Sequence, residues 1–588
     1  MMLSLVQFWR RYSPRLFGTT GLGFATFIVV FAFVAVYVAS TNTHGDGLAR
    51  LTEAAHIADT GSLLDYRPHL IMNLAQGTPE PYPNTYPAIP QISMATLYLF
   101  GNETLLRLYA PLMAASTALF VYLTFASFYQ RAIGVTAAAL VILLNMQRFV
   151  MVPLIEQMLL MEESAAIYFY VSWLRTRRRQ YLLLAGIFIG LAVSTKLQGW
   201  ILLAAITIHA LLYVGWQLVR SWRHTLLPRF NALAAIAGSW RHTSLPSFIA
   251  LAVIVALVAA LPLAEQISRN GTILNVPTSQ SPPFLQSHYP LDQAAFDAQN
   301  DRLGYVPPAS SWADVVYRSL LYPFYYESTP SFTTSGAQRP LVLLAGVGTL
   351  LLAGLYVIFR RTPVLGLFLA VLLLTYWTEV TAYGPSRNFY QYHNLLLLTL
   401  GVVIATGFIV ALRAARHLPN GPLVTTLVAI CTVALVGGAF FTHSHERLYA
   451  HSGRQTDVAL KEWNELCQFI DVTIDPHEPI LSPSQNLRTN CKRDTYWINE
   501  GGGLEVIEAV EASDPRKSYE ILNQIGIKYI VFDKRQTQRR GLSDYAPLGG
   551  LFTTIQRSPL FEPLYVVEDK LFLYRLRDDQ TSENQPRQ

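Results

Sequence analysis

Charge is what this sequence has least of. Only 14% of its 588 residues are Asp, Glu, Lys or Arg, against roughly 25% in soluble domains. The length would allow several soluble domains, but there is too little charge to coat their surfaces. The scarcity is also uneven. Residues 1–441 hold 26 Lys and Arg with 16 Asp and Glu, whereas residues 442–588 hold 18 and 22. The net charge of +6 is therefore +10 on a greasy part and −4 on an ordinary one. A soluble multidomain enzyme, a disordered chain and a simple nucleic-acid binder are excluded. An integral membrane protein with one water-soluble domain at its C-terminal end remains.

Cysteine is scarce too, and three are too few for a disulfide scaffold. Cys431 lies in an apolar run. Cys467 and Cys491 lie in the tail, where they pair if the domain sits in an oxidising compartment and are otherwise two ordinary thiols. The tail has no Gly-rich phosphate loop and no metal-ligand cluster, and Gly501-Gly502-Gly503 reads as a flexible turn.

What is abundant is apolar sequence. A membrane span needs about 20 mostly apolar residues, and eleven runs qualify: about 21–39, 106–128, 132–149, 157–174, 181–197, 199–218, 247–264, 340–359, 363–380, 393–412 and 421–441. The first is too long for a secretory signal and no small-residue cleavage site follows it, so it reads as a retained helix. With the N-terminus in the cytoplasm, the inner segments carry sixteen arginines and no Asp or Glu, as the positive-inside rule requires. An odd span count then puts the tail outside, in the extracytoplasmic space of a plasma membrane. Two outer loops are long: about 40–105, expected to carry short interfacial helices, and about 265–339, rich in Pro, Ser, Gln and Tyr; loops of this length are usually functional or disordered. Between residues 221–228 and 239–246 an eight-residue stretch is nearly duplicated, which reads as a tolerated expansion.

The tail alternates helix and strand. DVALKEWNELCQFIDV suits an amphipathic helix, PILSPS a strand, and SYEILNQIGIKYIVFDK a helix, a turn and a strand. YVVEDKLFLYRL reads as a hairpin turning at Glu568-Asp569-Lys570.

Ionisable side chains at membrane depth are costly, which makes them functional candidates. Asp46, in THGDGLARL, follows the first span; its carboxylate could orient or deprotonate a hydroxyl, or be a solvated turn residue. Glu156, Glu162 and Glu163 head the fourth span, Glu156 near its surface and the other two deeper. A helix N-terminus alone favours acids, but depth asks for more at the inner pair. Lys196 is the only lysine in the first 441 residues and lies on the arginine-poor outer side. Its compact ammonium suits a phosphate held as a point charge. Arg387 and His393, in YGPSRNFYQYHNLL, precede the tenth span among tyrosines. Arg387 could hold a phosphate bidentately, while His393 reads either as a proton carrier or as an interfacial histidine. Outer acids and outer cations together point to chemistry on a lipid phosphate. A transporter or a non-catalytic binding or assembly protein is the alternative, although no inverted repeat is evident.

These residues, in their order, resemble the GT-C polyprenyl-phosphate-sugar glycosyltransferases, above all the branch of the dolichyl-phosphate-mannose protein mannosyltransferases and aminoarabinose transferases. The elements are GDGLAR after the first span, HIADTGSLL at 56–64, YPNTYPAIP at 82–90, LFG at 99–101, LLRL at 105–108, the acid-headed fourth span, GLAVSTKLQG at 190–199 and PSRNFYQYH. The resemblance implies a GT-C fold over residues 1–441 with an extracytoplasmic α/β domain over 442–588. It implies inverting transfer of a sugar from a polyprenyl-phosphate carrier to a hydroxyl of a glycan, lipid or protein. Asp46 matches the acid that positions or deprotonates the acceptor. Lys196 and Arg387 match positions that hold the leaving phosphate, Glu156 or Glu163 the second acid, and His393, Glu162 and Tyr86 fall among the substrate contacts. The chain departs from the pattern in having Asp46-Gly47 for Asp-Glu, YPNTYP for Tyr-Pro-Pro and Glu for the second Asp. Some branches use a divalent cation, Mg or Mn, which Asp46 and Glu156 would hold here.

Overall fold

A computed structural model describes residues 19–39, 46–61, 72–73, 80–81, 88–146, 149, 155–196, 198–225, 244–270, 338–383 and 394–417, with isolated positions up to 426. In the tail it describes 454–476, 480–482, 495–497, 514–534, 555–556 and 558–577, with isolated positions between them. The chain divides into two compact units.

The first unit holds Met1–Thr41, Glu103–Leu263 and Pro308–Ala450. Its helices are α1 (Thr19–Ala39), α4 (Tyr109–Phe128), α5 (Arg131–Leu144), α6 (Ile155–Thr176), α7 (Arg179–Thr195), α8 (Gln198–Thr225), most of α9 (Leu245–Asn270), α10 (Gln338–Arg361), α11 (Pro363–Tyr383) and α12 (Asn394–Arg416). Ten of the eleven expected spans coincide with these helices, and the eleventh, 421–441, falls almost wholly outside the described residues. Among the described residues five helical stretches are long and apolar enough to cross a membrane: Thr19–Val38, Thr104–Ser127, Gln198–Val219, Leu245–Glu265 and Leu398–Arg416. Shorter apolar helices stand beside them at Arg131–Leu144, Arg179–Thr195 and Pro363–Thr378. The protein is a multi-pass helical membrane protein.

Large apolar side chains cover the outside of this unit, among them Phe24, Val29, Val36, Leu211, Leu257, Leu261 and Leu352. In water such a surface would aggregate, whereas in lipid it is the ordinary one. Small residues fill the inside, because without a hydrophobic force between helices close packing has to hold them together. Gly354 of α10 and Gly407 of α12 make the point. A Cβ on Gly354 would lie 2.0 Å from the Val403 carbonyl oxygen, and one on Gly407 2.0 Å from that of Leu350. The two backbones touch where any side chain would part them.

The second unit holds Asn42–Asn102, Ala264–Pro307 and His451–Gln588. From the long first loop come α2 (Asp46–Thr60), the strands β1 (Met72–Asn73) and β2 (Glu80–Pro81), and most of α3 (Ala88–Leu106). The tail supplies α13 (Arg454–Thr473), β3 (Ile480–Ser482), β4 (Thr495–Trp497), α14 (Pro515–Gln524), β5 (Tyr529–Asp533), β6 (Phe561–Val567) and β7 (Leu571–Leu576). Its five strands run in the order β4-β3-β5-β7-β6. β4, β3 and β5 are parallel, while β7 is antiparallel to both β5 and β6.

The period of two along a strand sorts residues to opposite faces, and both faces are covered. Ile530, Phe532, Phe572, Tyr574 and Leu576 meet Tyr519 and Leu522 of α14. Val531, Leu571 and Leu573 meet Trp463, Leu466 and Ile470 of α13. The hairpin turns where expected, with Glu568 and Asp569 at φ 47° and 53°. Cys467 and Cys491 are joined in a disulfide. Two residues on, Arg493 donates to the carbonyls of Ile470 (3.1 Å) and Ile474 (2.8 Å), placing a cation at the negative end of α13.

Candidate functional site

The site in the first unit is built on a helical hairpin. α6 stops at Thr176, and Arg177 takes the left-handed conformation, φ 58°, with its N–H on the Trp173 carbonyl at 2.8 Å. That geometry is a common helix stop, usually made by glycine. α7 begins at Arg179 and returns antiparallel, so its end comes back to the start of α6. Lys196 follows directly. Its N–H bonds the Ala192 carbonyl at 3.3 Å, and its carbonyl accepts from Gly199 N–H at 2.9 Å. Gly199 has to be glycine, since a Cβ there would lie 2.0 Å from the Ala192 carbonyl oxygen. The tight junction aims Lys196 at the first turn of α6, where its Nζ forms an ion pair with Glu156 Oε1. Both side chains are largely out of solvent, 20% and 12% exposed.

Deeper along α6, Glu162 and Glu163 are fully buried. Glu162 stands beside Thr195, the last residue of α7. Gln157 and Gln198 are equally buried, and Ser194 turns its hydroxyl to the Gly190 carbonyl at 2.8 Å. A polar seam thus lies where the first half of α6 meets the α7–α8 junction. Glu156, Glu162 and Lys196 belong to this neighbourhood, and Glu163 is buried one residue further along α6. Gln157 and Gln198 were passed over in the sequence, although amides inside apolar helices are a legible signal.

A second polar cluster, also missed, lies toward the other end of the hairpin. Tyr170 hydrogen-bonds His209 Nδ1 at 2.7 Å. Arg177 bonds the Tyr213 hydroxyl and, at 3.0 Å, Ser244 Oγ. Its guanidinium stands 5.1 Å from the Trp173 ring centre and 5.3 Å from that of Tyr213. Gln217 Oε1 accepts from Ser244 N–H at 3.0 Å. The cluster ties α6, α8 and α9 together. Its legible signal was His209, an ionisable residue in the middle of an apolar span.

Asp46 is the first residue of α2, in the other unit. Further along α2, Arg50 and Glu53 form a buried ion pair at 2.6 Å. Tyr86, Arg387 and His393 lie outside the described residues. Among the described residues no three His, Cys, Asp or Glu side chains converge to hold a metal ion. Glu156, half of the expected metal pair, is ion-paired with Lys196, and the side chain of Asp46, the other half, lies outside what the structure describes.

Comparison with known proteins places this geometry. Residues 55–264 match the sequence model of the dolichyl-phosphate-mannose-protein mannosyltransferase family, a segment that includes both Glu156 and Lys196. Comparison with curated protein sequences gives no match. Among solved structures, the oligosaccharyltransferase AglB from Archaeoglobus fulgidus, in complex with an inhibitory peptide and a dolichol-phosphate, is similar over 95% of this chain and 75% of its own (13% identity, TM-score 0.53). An oligosaccharyltransferase from Archaeoglobus fulgidus tethered with an acceptor peptide is similar over the same shares (13% identity, TM-score 0.56). ArnT from Cupriavidus metallidurans, bound to undecaprenyl phosphate, is similar over 93% of this chain and 97% of its own (13% identity, TM-score 0.51). The chain has the GT-C fold. In this GT-C chain the acid-headed α6 and the Lys196 junction both fall inside the family-matched segment.

Proposed function

We propose that the protein is a membrane glycosyltransferase that moves a sugar from a polyprenyl-phosphate carrier to an acceptor hydroxyl on the extracytoplasmic face, with inversion. The observation that carries the reading is Lys196, a cation fixed by a tight helix junction inside the segment that matches the mannosyltransferase family. Two structural relatives hold dolichol-phosphate or undecaprenyl phosphate, which supports a polyprenyl phosphate as the carrier here. The Cys467–Cys491 disulfide supports an oxidising, extracytoplasmic home for the tail. Sixteen inner arginines without an acid support the same orientation.

In this reading the acceptor oxygen attacks the anomeric carbon from the face opposite the phosphate. The new C–O bond forms as the bond to the phosphate oxygen breaks, and that oxygen keeps the electron pair. The acceptor proton passes to Asp46. Lys196 and Arg387 neutralise the charge growing on the leaving phosphate, where preorganised cations contribute most.

The test is transfer by the purified full chain from polyprenyl-phosphate-sugar donors to mixed acceptors. Asp46→Asn should lower turnover by about 10²–10⁴-fold, the usual range for a lost general base, with donor binding preserved. Lys196→Ala should weaken donor binding. Full turnover by Asp46→Asn would refute its role, and binding without transfer on any acceptor would favour a non-catalytic or transport protein.

A further inference from the structure

Lys196 meets an anion already built into the chain. We infer that Glu156 is a displaceable counter-ion, and that it and the lipid phosphate take turns on the Lys196 ammonium. The inference rests on the reading of Lys196 as the phosphate-holding cation.

Three observations carry it. Among the described residues Glu156 is the one ion-pair partner of Lys196, and it reaches Lys196 from forty residues away across the α6–α7 hairpin. Both side chains are mostly removed from water, so solvent screens their charges poorly. A phosphate arriving beside an intact pair meets a neutralised lysine and an unscreened carboxylate. It binds well only by taking the place of that carboxylate.

Glu156 also sits in the first turn of α6, where the unpaired N–H groups and the helix dipole favour an anion. A carboxylate that lets go of Lys196 therefore keeps a stabilising field of its own, and the exchange is cheap. The same two features, ammonium and helix N-terminus, receive either anion.

The exchange has a direction built into the chemistry. The donor is a phosphodiester with one negative charge, while the polyprenyl phosphate left after transfer is a monoester that carries up to two. A fixed, uncompensated lysine would hold the product more tightly than the substrate. A carboxylate that competes for the same ammonium favours release. Glu156 then acts on turnover through Lys196, as a positioning residue, and Glu163 is left as the second acid.

The test is binding of undecaprenyl phosphate to the full-length protein in nanodiscs, with uncharged undecaprenol as control. Glu156→Gln, which keeps the side chain's size and removes its charge, should tighten binding about tenfold, the scale of one partly buried charge contact. It should also deepen inhibition of transfer by added undecaprenyl phosphate. Lys196→Ala should bind more weakly, and the double variant should match Lys196→Ala. If Lys196→Ala binds as the wild type does, the phosphate reading of Lys196 falls, and the inference with it. If Lys196→Ala is weakened while Glu156→Gln is unchanged or weaker, the reading stands and the inference fails, leaving the pair as a structural tie. Should Glu156→Gln not fold, Glu156→Asp retracts the charge by one methylene. It should tighten binding less but in the same direction, and unchanged or weaker binding by it overturns the inference.

Discussion

Arg177 is a non-glycine residue held at φ 58°, in a conformation that costs a side-chain-bearing residue roughly 1–2 kcal/mol. Its guanidinium contacts, to Tyr213, Ser244 and two aromatic rings, offset that cost. Arg177→Ala removes the contacts and keeps the strain. Arg177→Gly removes both. We therefore expect the glycine variant to be the more stable by about 1 kcal/mol, the reverse of the usual order of alanine over glycine near helices. Thermal unfolding in detergent checks this, and an alanine variant as stable as the glycine variant would show that no strain is held there. At this scale the sequence was legible wherever one residue broke a pattern. Lys196 stood out as the one lysine among arginines. Arg177 did not, because four arginines in five residues look alike until one of them takes a left-handed turn.

The pairing of Lys196 with Glu156 belongs to the element scale. α6 runs 22 residues and α7 runs 17, with two residues between them. At 1.5 Å per residue two antiparallel helices of similar length return the chain to its starting level, so 196 comes back to 156. That register is computable once the turn is known to be short, and the turn is where sequence boundaries are least sharp. α3 falls in the loop expected to carry short interfacial helices, and its bounds were not legible. Gln91, Asn102 and Glu103 make it too polar to stand out as a span. β4 spans only three residues, too few for a period of two to register. The α7–α8 junction gives the prediction at this scale. Gly199→Ala drives a Cβ into the Ala192 carbonyl, backbone that cannot swing aside. The junction must open, at a cost of about 1–3 kcal/mol, and Lys196 must move with it. Both thermal stability and donor binding should fall, whereas Gly215→Ala, with open space at its Cβ, should leave both near the wild type. Equal behaviour of the two variants would mean that the junction does not set the lysine.

The expected orientation of the whole molecule rests on charge sidedness, and the disulfide offers an independent test of it. The bond ties α13 to the segment leading into β4, closing a loop of 24 residues. That loop includes β3 and reaches to within two residues of Arg493, whose guanidinium holds the carbonyls at the end of α13. Releasing the bond therefore frees both the helix and the cation that caps it. A loop of this size stabilises a fold by about 3 kcal/mol in the chain-entropy account. Cys467→Ser should sensitise the tail of the full chain to limited proteolysis. A reductant should do the same to the wild type and add nothing to the variant. The state of the same bond in cells tests the compartment, because a cytoplasmic tail would be kept reduced. In intact cells Cys467 and Cys491 should resist alkylation until a reductant is added, and free labelling of both without it would put the tail on the arginine-rich side of the membrane. The orientation read from sixteen arginines would then be inverted, and with it the face on which Lys196 meets its phosphate.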